Sequence, residues 1–145
     1  NELSKIIYEQ SLACEIGIVD VEEIDKINIL NASILAMHKA IEKINLPFEL
    51  ILIDGPHFKK FKNYNHHCII RGDSKFLSIA AASIIAKTHR DKIMLDLHEK
   101  NPNYKWCRNK GYPTIEHRSA IKKFGASKHH RKSFKLLNKQ TALDI

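Results

Sequence analysis

The spacing of apolar residues predicts a long amphipathic helix in the first third of the chain. After Asp20, apolar side chains recur at intervals of three and four residues: Ile27, Leu30, Ile34, Met37, Ile41 and Ile44. These intervals place them on one face of an α-helix. Asp20 is a suitable N-cap, and Pro47 closes the end of the segment because proline cannot continue a helix.

The other apolar segments predict strands alternating with helices. Runs of β-branched residues predict strands at Ala13 to Val19, Phe48 to Ile53 and Cys68 to Ile70, the second of them covered on both faces. Helices are predicted at Leu3 to Gln10, from near Ser78 to about Glu99, and at about Thr114 to Phe124, where Gly125 ends the last one. Residues 105–113 are expected to form a basic loop, and the basic tail from Ala126 onward is expected on the surface. The pattern predicts an α/β fold in which helices pack against a sheet, as one domain over residues 1–145.

Composition narrows the class of partner without deciding it. Lys and Arg number 24 against 16 Asp and Glu, for a formal net charge of +8. This surplus favours a polyanionic partner such as nucleic acid, although an ordinary basic protein has the same composition. The chain has neither of the Gly-rich phosphate-binding motifs, and its nine histidines show no H-x-x-x-H or H-E-x-x-H spacing, which disfavours a histidine-based metal site.

Cysteine usage and hydropathy predict a cytoplasmic protein. The three cysteines, Cys14, Cys68 and Cys107, are far apart and form no C-x-x-C pair. This arrangement argues against a disulfide framework or a structural zinc site and fits a reducing compartment. No apolar run approaches the roughly 18 residues that span a bilayer, and we expect no membrane association.

Asp54 is a candidate metal ligand because of its position. It follows a predicted apolar strand, and ligands of α/β sheets usually bind beyond the carboxyl ends of strands. The alternative is that Asp54-Gly55-Pro56 is a turn in which the aspartate accepts backbone hydrogen bonds.

Asp91 is a second candidate, inside the alanine-rich helix. A helical projection places it on the side expected to pack, among Ala80, Ile84, Met94 and Leu95. A carboxylate in a packed region needs a cation or hydrogen-bond donors. An ion pair with Lys87 and a bound divalent metal both meet this need. Hard carboxylate ligands suit Mg²⁺ or Mn²⁺, and paired ions suit phosphodiester hydrolysis, but two aspartates are too few to hold two ions.

Several sequence blocks resemble one enzyme family. Residues 71–91, RGDSKFLSIAAASIIAKTHRD, are similar to the ribonuclease HII segment K-G-D-x-x-x-x-x-I-A-A-A-S-I-x-A-K-x-x-R-D. Further blocks resemble that family in the same order along the chain: INILNASILAMHKAI at 27–41, LIDG at 52–55, KGYPTIEH at 110–117 and GASKHHRKSF at 125–134. The resemblance implies a ribonuclease H-like α/β fold, with a mixed sheet flanked by helices and a C-terminal helical region.

The resemblance also implies roles for particular residues. Asp54 and Asp91 match the third and fourth metal-binding carboxylates, the catalytic residues that hold two Mn²⁺ or Mg²⁺ ions. Tyr112 matches the tyrosine that packs on the sugar at an RNA-to-DNA junction; the alternative is an aromatic residue that covers the sheet. Ser83 and Lys87 are candidate substrate contacts near the scissile bond, although orienting Asp91 is an equally good role for Lys87. Lys110, Arg131 and Lys132 are candidate phosphate contacts, although a solvated basic surface is the commoner explanation for any one of them.

One expected motif is not in these 145 residues. The family's D-E-x-G-R-G strand supplies two carboxylates and the backbone that senses the ribose 2′-hydroxyl, and this sequence does not contain it. We therefore expect the chain to be a fragment lacking the N-terminal strands, inactive by itself.

The function implied is that of a monomeric endonuclease acting on the RNA strand of RNA–DNA hybrids. It would also cut 5′ to ribonucleotides embedded in duplex DNA. Two alternatives stay open: the related ribonuclease HIII, which the RGDSK and KGYPT segments disfavour, and a noncatalytic basic nucleic-acid-binding module.

Overall fold

The computed structural model describes residues 2–134, and the chain forms two compact units, Asn1–His89 and Arg90–Ile145. The boundary between the units falls within a long helix. Each unit has its own hydrophobic core. Whether the chain is a single domain stays a prediction.

The first unit begins with two helices whose ends follow from the sequence. α1 spans Glu2–Gln10 and α2 spans Val21–Lys43. Asp20 caps α2 as predicted, because its side chain accepts a 2.8 Å hydrogen bond from the backbone N–H of Glu23. α2 is bent at Asn28, whose φ of 66° interrupts the helix. The predicted helix is therefore present but kinked.

Two parallel strands form the described sheet. β1 spans Leu50–Asp54 and β2 spans Asn65–Ile69, with Asp54 opposite Ile69. β1 buries alternate residues, Ile51 and Ile53, so the expectation of a strand covered on both faces is wrong. Together with Phe61 these two isoleucines form the core of the unit, against which aromatic and aliphatic side chains pack: Met37, Ile41, Phe48, Phe58 and Tyr64.

The predicted strand at Ala13 to Val19 is wrong. These residues have no regular secondary structure, and the segment lies against α2 instead. A Cβ atom added at Gly17 would lie 1.8 Å from the carbonyl oxygen of Ala36, so the two backbones touch. The carbonyl oxygens of Ile16 and Ile18 accept hydrogen bonds from lysine ammonium groups of α2 at 2.8 Å and 3.2 Å. Apolar and β-branched composition favours a strand, but a strand also needs a neighbouring strand to pair with.

The long alanine-rich helix, α3, spans Leu77–Lys100 and matches its predicted extent closely. A 3₁₀ turn at Gly72–Ser74 precedes it, and another at Pro102–Tyr104 follows it, where Asn101 and Pro102 break the helix as expected. Met94 packs against the core of the second unit, as the helical projection predicts. Leu95 does not, since it is 44% exposed.

The second unit continues with two further helices. α4 spans Trp106–Asn109, inside the segment expected to be a loop, and α5 spans Ile115–Phe124. Thr114 caps α5 by accepting a hydrogen bond from His117, and Gly125, with φ 78°, ends it.

The core of the second unit surrounds Trp106, which is 2% exposed. Tyr104 stacks on it, with ring centroids 4.9 Å apart. The expectation that the tail from Ala126 lies entirely on the surface is wrong for His130, which is 6% exposed and packs against both rings. The positive charge of the tail led to the surface prediction, because the buried histidine lies in a run of cationic residues. The part of the tail beyond Phe134 lies outside the described residues.

The observed architecture confirms the α/β class, with a helical C-terminal region. The sheet of the described residues is parallel and has two strands, whereas a mixed sheet was expected. No helix in residues 2–134 is both long and apolar enough to cross a membrane.

Candidate active site

Asp54 is the last residue of β1, and a backbone N–H group orients its carboxylate. Its Oδ1 atom accepts a 2.8 Å hydrogen bond from the backbone N–H of Gly72, the residue that starts the 3₁₀ turn before α3. A Cβ atom at position 72 would lie 2.6 Å from Ile79 Cδ1 and 3.4 Å from Asp54 Oδ1. Glycine therefore permits the close approach of Ile79, while the backbone N–H of the same residue orients the carboxylate. The residue is exposed, so the rest of the carboxylate can meet a ligand.

Asp91 lies in α3, in the part that belongs to the second unit. Its side chain is 31% exposed, so it is half-buried rather than part of the solvated face. The Oδ1 atom lies 3.9 Å from the guanidinium Nη1 of Arg90. At this distance and exposure, the ion pair contributes little to stability.

Tyr112 projects from a loop whose backbone is fixed at several points. The Oδ1 atom of the buried Asn109 accepts a 2.9 Å hydrogen bond from Gly111 N–H, and the Tyr112 N–H donates to the Asn109 carbonyl at 2.8 Å. Lys110 and Gly111 both have positive φ, at 48° and 79°, which produces the sharp turn. Tyr112 itself is 58% exposed. An exposed aromatic ring on a firmly held loop suits stacking on a nucleotide.

One arginine connects three of the predicted site residues. Arg90 Nη2 donates a 2.7 Å hydrogen bond to the carbonyl of Lys110, and the guanidinium lies over the Tyr112 ring, 4.8 Å from its centroid. The same group approaches Asp91. The sequence analysis did not select Arg90. Its position directly before Asp91, in the segment that resembles the family, could have indicated a role at the site.

A buried histidine pair supports the Tyr112 loop from the other side. His117 Nδ1 lies 2.9 Å from the Tyr112 carbonyl oxygen, which can only accept, so Nδ1 carries the proton. His117 Nε2 receives the indole N–H of Trp106 at 3.3 Å and lies 3.1 Å from His130 Nε2. The backbone N–H of Ser127 donates to His130 Nδ1 at 3.0 Å, which leaves the proton of a neutral His130 on Nε2, facing His117.

These contacts define one consistent set of neutral tautomers. Burial lowers the pKa of His130 below its ordinary value of 6.5, and electrostatic repulsion from His117 lowers it further. No motif predicted this pair, because histidines were considered there only as metal ligands.

Sequence comparison identifies the family. The family model described as Ribonuclease HII matches residues 1–137. The chain belongs to the ribonuclease HII family. The resemblance drawn from the sequence blocks is thereby confirmed, and the α/β architecture agrees with a ribonuclease H-like fold in which some strands are not present.

Curated relatives named Ribonuclease HII match almost the entire chain. The protein of Christiangramia forsetii is 52% identical over 145 residues, which are all of this chain and 73% of the relative. The protein of Phocaeicola vulgatus is 49% identical over 143 residues, 99% of this chain and 71% of the relative. The protein of Porphyromonas gingivalis is 53% identical over 133 residues, 92% of this chain and 66% of the relative. Family membership supports a hydrolase of the ribonuclease H class, whose substrate is nucleic acid.

The remaining candidate contacts of this ribonuclease HII family member are distributed over both units. Ser83 and Lys87 are exposed on α3 in the first unit. In the second, the Lys110 carbonyl is engaged by Arg90, and the guanidinium of Arg131 lies 3.7 Å from the centroid of the Phe134 ring. Lys132 is exposed. Their substrate roles stay predictions.

The family resemblance implies divalent metal ions, and the oxygen ligands in the described residues can be compared with what such ions require. Asp54 fits a hard divalent cation, because an exposed carboxylate at a strand end already has one oxygen oriented by a backbone N–H. Asp91, in the second unit, carries a hard oxygen donor of the same kind, and its role as a metal ligand stays a prediction. Within residues 2–134, no three His, Cys, Asp or Glu side chains are grouped closely enough to hold a metal ion.

Proposed function

We propose that this site belongs to an endonuclease that hydrolyses the RNA strand of RNA–DNA hybrids and cuts 5′ to ribonucleotides embedded in duplex DNA. The observation that carries the proposal is the convergence of Asp91 and Tyr112 on Arg90. A candidate metal-binding carboxylate and a candidate nucleotide-stacking ring thereby lie next to the same side chain.

The roles of the chain's own residues follow from their chemistry. Asp54 and Asp91 would hold divalent ions by carboxylate oxygens, and Mn²⁺ or Mg²⁺ are the ions that such ligands favour. When bound, two such ions would supply charge stabilisation and water activation for phosphodiester hydrolysis. Tyr112 would pack on the sugar at the RNA-to-DNA junction. Ser83 and Lys87 would contact the substrate near the cut, and Lys110, Arg131 and Lys132 would neutralise backbone phosphates.

The proposal includes a fragment hypothesis. Two carboxylates do not complete a two-ion site, and the D-E-x-G-R-G motif is not in these 145 residues. We propose that the motif's two carboxylates are needed for activity. The cytoplasmic location and the monomeric state remain expectations that accompany this proposal.

A noncatalytic nucleic-acid-binding module is the second candidate. The net charge of +8 and the exposed Tyr112 ring support it. Binding that depends on charge alone falls with rising salt and does not respond to the loss of a metal ligand.

Cutting of a DNA duplex that carries one ribonucleotide separates the two candidates. We expect a chain extended to include the D-E-x-G-R-G segment to cut 5′ to the ribonucleotide, leaving 3′-hydroxyl and 5′-phosphate ends, only when Mg²⁺ or Mn²⁺ is added. Asp54→Asn should abolish cutting, whereas Asp73→Asn, which changes an exposed acid in the adjacent 3₁₀ turn, should not. Salt-sensitive binding with no cutting by the extended chain would favour the noncatalytic module.

A further inference from the structure

The Arg90 guanidinium contacts three other residues: Asp91, Lys110 and Tyr112. The side chain is 43% exposed, and its approach to Asp91 is a weak ion pair at 3.9 Å. The other two contacts are more specific: a 2.7 Å hydrogen bond to the Lys110 carbonyl and a stacking contact with the Tyr112 ring. Both reach across about twenty residues of sequence to the same loop, so the guanidinium connects α3 to that loop.

The loop presents its carbonyl to Arg90 because of its backbone conformation. Lys110 and Gly111 are consecutive residues with positive φ, and a Cβ atom at Gly111 would lie 3.3 Å from Met94 Cε on α3. The loop therefore packs closely on the helix that carries Arg90. A planar guanidinium can donate to a carbonyl and stack on a ring at the same time, which an ammonium group cannot do.

Other contacts fix the backbone of Tyr112 but not its ring. Asn109 and His117 bind main-chain atoms of the loop. The Arg90 guanidinium lies over the Tyr112 ring, 4.8 Å from its centroid. Because Tyr112 is 58% exposed, loss of this guanidinium is expected to widen the range of orientations that the ring adopts.

We propose that Arg90 is a positioning residue that fixes the orientation of the Tyr112 ring and thereby sets the preference for an RNA-to-DNA junction over plain DNA. The inference rests on the proposed role of Tyr112 in packing on the sugar. It concerns discrimination between duplexes rather than total affinity, because any lost cation weakens binding to both duplexes.

Two measurements on the chain extended by the D-E-x-G-R-G segment test the inference, and both are made without divalent ions so that nothing is cut. The first is the side-chain rotamer distribution of Tyr112 from NMR couplings in tyrosine-labelled protein. The second is the preference ratio, defined as the affinity for a duplex with an RNA-to-DNA junction divided by the affinity for the all-DNA duplex of the same sequence. Arg108→Ala is the matched control, since it removes an arginine of the same unit that is 74% exposed.

We expect Arg90→Ala to average the Tyr112 rotamers and to lower the preference ratio about tenfold, as Tyr112→Ala does, in line with the usual contribution of a stacked aromatic ring. The double variant should fall no further than either single variant. Arg90→Lys should recover only part of the ratio, because lysine keeps a donor for the Lys110 carbonyl but loses the planar contact. Arg108→Ala should resemble the unaltered chain in both measurements.

The outcomes separate this inference from the function on which it rests. If Tyr112→Ala lowers the ratio while Arg90→Ala changes neither the rotamers nor the ratio, Arg90 is an ordinary surface cation and the inference is overturned alone. If Tyr112→Ala leaves the ratio unchanged, the proposed role of Tyr112 fails, and the inference falls with it. Full recovery by Arg90→Lys would also contradict it, because charge would then suffice.

Discussion

The Nε2 atoms of His117 and His130 lie 3.1 Å apart in the interior of the second unit, and a single proton between them accounts for the contact. His117 in turn binds the Tyr112 carbonyl, and His130 binds Ser127 at the start of the C-terminal tail. The pair therefore ties the candidate substrate loop to the tail. A second proton on His130 would sit on Nδ1 and face the backbone N–H of Ser127, so this contact requires a neutral His130 ring.

This requirement predicts acid-sensitive stability. Burial lowers the pKa of His130, so between its folded pKa and about 6.5 the unfolded chain binds more protons than the folded chain. The contribution of neutral His130 to the free energy of unfolding is therefore fully present above pH 6.5 and is lost progressively as the pH falls towards the folded pKa. Urea unfolding at several pH values, followed by fluorescence of the single tryptophan, Trp106, measures this dependence.

A pair of histidine variants assigns the effect. His130→Gln should be less stable at neutral pH and should flatten the pH dependence between 5.5 and 7.5, values chosen to bracket about 6.5. His57→Gln, which alters an exposed histidine, should leave the slope unchanged. An unchanged slope in His130→Gln would contradict the assignment.

The hydrogen bonds of the Asn109 side chain are expected to stabilise the loop that carries Tyr112. Its side chain is 5% exposed, donates to the Tyr104 carbonyl at 2.8 Å and accepts from Gly111 N–H. Asn109→Ala leaves both backbone groups without these partners and should lower the free energy of unfolding by about 2 to 3 kcal/mol. Asn103→Ala, at an exposed position of the preceding 3₁₀ turn, should change it by less than about 0.5 kcal/mol. Equal stability of the two variants in urea would show that the Asn109 hydrogen bonds do not hold the loop.

Because Gly72 lies close to both Ile79 and the Asp54 carboxylate, we expect a substitution there to affect both packing and metal binding. A methyl group there would overlap the buried Ile79, and a shift of Gly72 away from Ile79 would displace the N–H that orients the Asp54 carboxylate. Gly72→Ala should cost about 1 to 3 kcal/mol of stability and weaken Mn²⁺ binding, because overpacking forces neighbouring groups to move. Paramagnetic broadening of NMR signals around Asp54 during Mn²⁺ titration reports the binding.

Ser74→Ala is the control for this substitution. It removes an exposed hydrogen bond to the Arg71 carbonyl in the same turn and leaves Gly72 in place. Mn²⁺ broadening should match that of the unaltered chain. If Gly72→Ala also broadens normally, Gly72 does not orient the carboxylate for a metal.

The sequence predicted helices better than strands, for physical reasons visible at particular residues. Asp20, Thr114 and Gly125 act locally, through caps and a positive φ, and each ends or begins a helix where expected. The segment from Ala13 to Val19 has strand-like composition, yet strand formation depends on a partner that composition does not specify.

The candidate site was predictable where chemistry follows from single positions. Asp54 was predicted from its place at a strand end, Asp91 from its position on the packing side of a helix, and Tyr112 from the family resemblance. Arg90 and the His117–His130 pair were missed because their importance lies in contacts between residues far apart in sequence. A hydrogen bond from Arg90 to a backbone carbonyl twenty residues away produces no recognisable sequence motif.

The most direct test of the central claim compares two aspartates of α3. Asp91→Asn and Asp96→Asn each remove one carboxylate from this helix, but Asp91 is half-buried beside Arg90, whereas Asp96 is exposed. Both substitutions would be made in the chain extended by the D-E-x-G-R-G segment, and Mn²⁺-dependent cutting at a single ribonucleotide in duplex DNA would be measured. The account predicts that Asp91→Asn abolishes cutting and that Asp96→Asn leaves the rate within about twofold, since an exposed surface substitution changes little. Undiminished cutting by Asp91→Asn would contradict the assignment of Asp91 to the metal site.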